Sequence, residues 1–174
     1  SLISIKEYGH LKFFDSNVIV DISTGGEDAV SADGTASLSV AGLIKLPLTF
    51  TIKRYTLDVI GDYEGASNLT IGESSGLTGK MTLYAYTAKR RGLGRFNDYQ
   101  FQNLNVQTTG QLTLASYDGN NSNSFDNDPF GRDDYGIILN VDNLDIATGG
   151  LIDASNTGYE TGAGPGGEGS YGGY

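Results

Sequence analysis

The stretch DGNNSNSFDNDPFGRDD, residues 118 to 134, is the strongest candidate for a ligand site in this chain. Calcium is a hard cation that takes about six to eight oxygens from carboxylates, amide carbonyls and backbone. Asp118, Asn120, Ser122, Asn123, Asp126, Asn127, Asp128, Asp133 and Asp134 supply such oxygens, and Asp118-x-Asn120-x-Ser122 has the alternate spacing of a calcium loop. The stretch departs from the standard helix-loop-helix calcium loop, with Asn123 where that loop has glycine and Pro129 where it has the closing glutamate. The expectation is a calcium site built from Asp118, Asn120, Ser122, Asp126, Asp128, Asp133 and Asp134, set against a solvated loop between strands.

Other chemistry finds little to work with. Cysteine is absent and His10 is the single histidine, so zinc sites of the His/Cys type are excluded by count and a nucleophilic triad has one base to call on. His10 reads as an edge or surface residue. Asp58, Asp62 and Glu64, or Asp126 and Asp128, offer carboxylate pairs of the kind that hydrolyse glycosides, but turns of any acidic β protein do the same. GPGGEG lacks the lysine of a phosphate-binding loop. The chain therefore reads as a non-enzyme. Two glycosylation sequons are present, at Asn68 and Asn120. Modification of Asn120 would weaken its part in a calcium site.

Charge is unevenly placed. Residues 1 to 95 carry ten basic and ten acidic side chains, whereas residues 96 to 174 carry Arg132 against eleven acids, so the net charge of −10 belongs to the second part. Nucleic acid is a poor partner for such a surface, because phosphate backbones require a basic footprint. Lys89, Arg90, Arg91 and Arg95 form a basic stretch in the balanced part. With the acidic second part it makes a head-to-tail contact between copies conceivable, a heterologous contact that propagates where its rotation does not close.

The elements that must carry these residues are strands. No window keeps the 3.6-residue apolar period of a helix, and no stretch approaches the ~20 apolar residues of a membrane span. LISI (2 to 5), NVIVDI (17 to 22), ASLSVAG (36 to 42), LPLTFTI (46 to 52), YTLDVI (55 to 60), KMTLYAYT (80 to 87), YQFQNLNVQ (99 to 107), QLTLAS (111 to 116) and GIILNVD (136 to 142) alternate or are rich in β-branched and aromatic residues. TGGED, ADGT, GDYEG, ESSGLTG and SYDGNNS read as turns. In LPLTFTI, Leu48, Phe50 and Ile52 share one face and Thr49, Thr51 and Lys53 the other, the pattern of an antiparallel strand with one wet side. In YQFQNLNVQ the apolar parity switches from Tyr99 and Phe101 to Leu104 and Val106, which predicts a bulge near Gln102 and Asn103.

The fold class expected is all-β: an antiparallel β-sandwich or jelly-roll-like domain over residues 1 to 147, with a strand and a Gly/Tyr-rich tail over 148 to 174. A β-solenoid is the alternative. The phrases SLSV, NLTI, NLNV, QLTL and NLDI would fit one, but their leucines, Leu38, Leu69, Leu104, Leu112 and Leu144, are spaced by 31, 35, 8 and 32 residues, without a steady period.

Beyond residue 147 the composition changes, with eight glycines among the last 17 residues. Gly149, Gly150, Ile152, Asp153, Ala154, Ser155, Gly158, Tyr159, Gly162, Gly164, Pro165 and Gly166 follow a loose GG-x-I-D-A-S-G-x-G-Y-x-G-G-x-G-P-G pattern, with Asn156 in place of one glycine. This segment resembles the glycine-rich stretches of large repetitive cell-surface and adhesin-like proteins of microbes. The resemblance implies an extracellular structural role.

A chain that opens on Ser1 fits a processed protein or a fragment. The function expected is that of a self-assembling extracellular subunit of a filament, pilus or surface layer. SLISIKEY or LIDAS would complete a neighbour's sheet, Lys89, Arg90, Arg91 and Arg95 would supply charge, and Tyr159, Tyr171 and Tyr174 would anchor the tail. The alternative is a monomeric calcium- or carbohydrate-binding adhesin module.

Overall fold

The computed structural model describes residues 2–15, 17–32, 34–84, 96–115 and 136–154. All regular structure among them is strand. One ladder of six strands runs, in spatial order, β15 (Leu151–Asp153), β13 (Gly110–Ala115), β11 (Gly79–Tyr84), β8 (Thr56–Val59), β5 (Ser37–Val40) and β2 (His10–Phe13). A second ladder holds β3 (Ile19–Asp21), β6 (Leu43–Lys45) and β9 (Asp62–Glu64). The third holds β14 (Gly136–Ile146), β12 (Phe96–Val106), β10 (Asn68–Ile71) and β7 (Thr49–Ile52), and β1 (Ile3–Ile5) pairs with β4 (Val30–Ala32). Every pairing is parallel.

This overturns the antiparallel sandwich. Neighbouring parallel strands need a long crossover, and here the crossover is itself made of strand: between β5 and β8 the chain passes through β6 and β7. Alternation misled because it reports one-sided burial and not the direction of a neighbour. Parallel sheets are usually covered on both faces; the first ladder has one apolar face and one polar face, and on the polar face Ser39 and Thr82 are buried. The ladders do not by themselves show the β-solenoid alternative.

Registers carry like residues onto like. Leu11, Leu38, Leu57, Met81, Leu112 and Ile152 occupy one row of the first ladder. Phe50, Leu69, Leu104 and Leu144 occupy one row of the third, and Ile52, Ile71, Val106 and Ile146 the next inward row. The middle members of these rows are fully buried and form the core with Ile44, Val40, Val59 and Leu83. Sequence and structure part at Leu48. It shares the parity of Phe50 and Ile52 but precedes β7, and it is exposed.

The corner in β12 falls where the parity switch places it. The amides of Gln102 and Asn103 both donate to the Ser67 carbonyl, at 2.8 and 3.0 Å, which lets Tyr99 and Phe101 on one side and Leu104 and Val106 on the other all turn inward. Ahead of the bulge the strand packs beside β9: the Tyr63 ring lies 5.8 Å from the rings of both Tyr99 and Phe101. The sequence GDYEG, read as a turn, contains β9 itself. Its leading glycine is required by close approach, since a Cβ on Gly61 would sit 2.1 Å from the Gly42 carbonyl oxygen of the preceding corner.

Candidate functional site

Most residues singled out in the sequence lie outside the described residues. This holds for the calcium set Asp118, Asn120, Ser122, Asp126, Asp128, Asp133 and Asp134, for Lys89, Arg90, Arg91 and Arg95, and for Tyr159, Tyr171 and Tyr174. Among the described residues no three or more His, Asp or Glu side chains are grouped to hold a metal ion. No helix among them is long and apolar enough to cross a membrane.

The carboxylates considered for chemistry are held in local pairs. Ser39 Oγ donates to Asp58 at 2.9 Å, and Lys45 lies 3.1 Å from Glu64. On the outer surface, Asp21 accepts from the hydroxyl and amide of Ser23, which, with the Lys45 ammonium as a lesser contributor, holds its carboxyl below the usual range. Lys53 donates to Asp28, and that bond raises its pKa. His10 and Ser37 share a hydrogen bond of 2.7 Å as register neighbours at the open end of the first ladder. SLISIKEY and LIDAS contribute β1 and β15, each paired on one side with a strand of its own chain. Strand β15 lies beyond residue 147 and still joins the first ladder through β13.

Asn68 has a different place from that of a free sequon. It lies in register with Asn103 and Asn143, and the three side chains form a ladder of their own. Asn103 Nδ2 donates to Asn68 Oδ1, and Asn143 Nδ2 donates to Asn103 Oδ1 at 3.0 Å. The side chain of Asn68 is half-buried and engaged.

What the sequence did not reveal is where the apolar surface collects. The exposed large apolar side chains among the described residues are Leu2, Tyr8, Phe14, Ile19, Leu48, Leu77, Ile138, Leu144, Ile146 and Leu151. All but Leu77 lie on or beside end strands, four near β1, β2 and β3, Leu48 beside β7, and four on β14 and β15. The rows explain this. Leu104 and Val106 are fully buried, while their register partners Leu144 and Ile146 on the edge strand β14 are 52% and 45% exposed. Among the described residues each end strand has a ladder partner on one side only. Acidic side chains accompany the C-terminal edge, namely Asp142, Asp145 and Asp153, and no lysine or arginine occurs between residues 136 and 154.

Comparison of the chain with protein-family models, with curated proteins and with solved structures gives no match.

Proposed function

We propose that this chain is a structural protein that assembles with itself, an extracellular subunit of a filament or surface layer whose contacts lie at the two ends of its ladders. One observation carries the reading: among the described residues, nearly all the exposed large apolar side chains lie on or beside strands at the ends of the ladders. Singly exposed apolar residues are ordinary, whereas apolar patches gathered at the ends of ladders mark surfaces that associate. The engagement of His10 with Ser37, Asp58 with Ser39 and Glu64 with Lys45 suits a scaffold better than a reaction centre.

Size-exclusion chromatography with light scattering, followed by negative-stain imaging across a concentration series, tests the reading. Elongated species that grow with concentration are the expected result. A chain that stays monomeric throughout would refute it.

A further inference from the structure

The structure assigns Asn68 as the attachment site of an N-linked glycan, borne on Nδ2 while Oδ1 stays in the asparagine ladder. The inference uses the extracellular part of the reading above and none of its self-assembly. It adds a covalent partner and names the atom that carries it.

The three strands of the asparagine ladder carry nearly the same phrase, Asn68-Leu69-Thr70, Asn103-Leu104-Asn105 and Asn143-Leu144-Asp145, and the first alone has the hydroxyl two residues on that completes a sequon. Alternation along β10 sends Leu69 into the core and leaves Asn68 and Thr70 half-buried on the outer face. The amide nitrogens divide in the same way. Asn143 Nδ2 is spent on Asn103 Oδ1, and Asn103 Nδ2 on Asn68 Oδ1. Asn68 Nδ2 is the free end of this series of donors, with no acceptor among the described residues.

The surroundings of that nitrogen are open. Oδ1 faces Asn103 on β12, so Nδ2 turns to the β7 side, where the register partner Thr49 and the preceding Leu48 are both exposed. The buried side-chain polar atoms without partners among the described residues are Tyr55 Oη and Thr113 Oγ1, so the unpartnered Asn68 Nδ2 is in contact with solvent. In the transfer, which meets the chain before the ladder closes, Nδ2 attacks the anomeric carbon of an oligosaccharide carried on a lipid diphosphate. The C–N bond forms as the bond from that carbon to the phosphate oxygen breaks, the lipid diphosphate leaves, and one amide proton passes to a base of the transferring enzyme. The Asn68 carbonyl is untouched, so Asn103 keeps its acceptor and the folded chain accommodates the glycan.

The full chain, secreted from a eukaryotic host behind a cleavable signal, tests the assignment. Enzymatic release of N-glycans in heavy-oxygen water converts each occupied asparagine to labelled aspartate, which peptide mass spectrometry locates. The folded, secreted chain should carry label at residue 68, and Thr70→Ala should abolish that label whereas Thr70→Ser keeps it. A folded secreted chain without label at residue 68, or label there only in aggregated chain, would overturn the site. Asn103→Ala then tests the two atoms of the amide separately. It should lower the melting temperature equally in the glycan-bearing chain and in unglycosylated chain from a bacterial host, because the bond to Oδ1 is present in both. A loss confined to the unglycosylated chain would mean that the glycan takes Asn68 out of the ladder, and the assignment would fall. Because the host supplies the secretory route, a labelled chain that stays monomeric refutes self-assembly and leaves the glycan site standing, and an assembling chain without label does the reverse.

Discussion

The middle and the ends of the ladders are built from the same phrases and have opposite surroundings. Leu69 and Leu104 stand in NLTI and NLNV and are fully buried; Leu144 stands in NLDI, in register with them, and is largely exposed. Leu69 and Leu104 have a ladder strand on both sides, whereas Leu144 on β14 has one on a single side among the described residues. Burial here is therefore a property of a residue's place in the strand order more than of its own sequence. The middle of such a ladder is a source of stability, and its ends are surfaces.

The largest expected effect tests that contrast. Leu104→Ala should destabilise the chain by about 2–5 kcal/mol in urea denaturation, the usual range for a leucine removed from a close-packed core. Leu144→Ala, measured at a concentration where the chain is monomeric, should cost less than about 1 kcal/mol. Equal costs would mean that the C-terminal end is as well covered as the middle, and the contrast would collapse. A Leu144→Ala variant that keeps its stability but assembles at higher concentration than wild type would sharpen it.

This dependence on strand order also explains how much of the fold was legible in the sequence. The all-β class was legible, because Val, Ile, Thr and aromatic residues alternate through most strands, and so was the β12 bulge, because a parity switch has few other causes. The ladders were not. SLSV and QLTL belong to the first ladder and NLTI, NLNV and NLDI to the third, so the spacings of 31, 35, 8 and 32 mix two series. Sorted by register, the first series is Leu38, Leu57, Met81 and Leu112, with spacings of 19, 24 and 31 residues, and Met81 hides one member behind a different side chain. The last of these intervals contains residues 85–95, and the next, from Leu112 to Ile152, contains residues 116–135, so no fixed period survives. Strands of three residues such as β3, β6 and β9 are too short to show alternation at all. Of the candidate site, the charged and glycine-rich segments were visible as composition. The apolar edges were not, since NLDI looks like NLNV until its neighbours are counted.

The asparagine ladder offers a second, smaller test of middle against end. Asn103 donates to Asn68 and accepts from Asn143, so Asn103→Ala removes both bonds and takes the donor from the half-buried Asn68 carbonyl. A loss of about 1–3 kcal/mol is expected, the cost of leaving partly buried amide groups without partners. Asn143→Ala removes a donor that serves Asn103 Oδ1 and, at 3.4 Å, the Gln102 carbonyl, both at an exposed edge, and should cost about 0.5 kcal/mol or less. A double-mutant cycle between the two positions should give a coupling of about 0.5 kcal/mol or more if the ladder acts as a unit, and none if each bond is independent.

The smallest effect comes from Tyr55, which with Thr113 holds one of the two buried hydroxyls among the described residues that have no hydrogen-bond partner. Tyr55 is almost wholly buried, and its hydroxyl has no hydrogen-bond partner. Burial, with the Asp28 carboxylate as a lesser contributor, pushes the phenol far above its ordinary value of 10.0. The sign follows from the direction. The folded chain holds the proton more tightly than the unfolded chain, so the stability linked to Tyr55 is complete below the unfolded value and falls as the pH rises above it toward the folded one. Tyr55→Phe should therefore match or exceed wild type by about 1 kcal/mol at neutral pH, because it removes a polar atom that the core does not satisfy. Its advantage should widen between pH 10 and the onset of general alkaline unfolding, where wild type alone must keep that phenol protonated. Tyr84, also raised by burial and by Asp58, leaves part of the alkaline slope in the variant. A Tyr55→Phe chain that is less stable at neutral pH, with an unchanged alkaline slope, would mean that the hydroxyl has a partner and that the middle of the ladders is not the dry, apolar interior its rows describe.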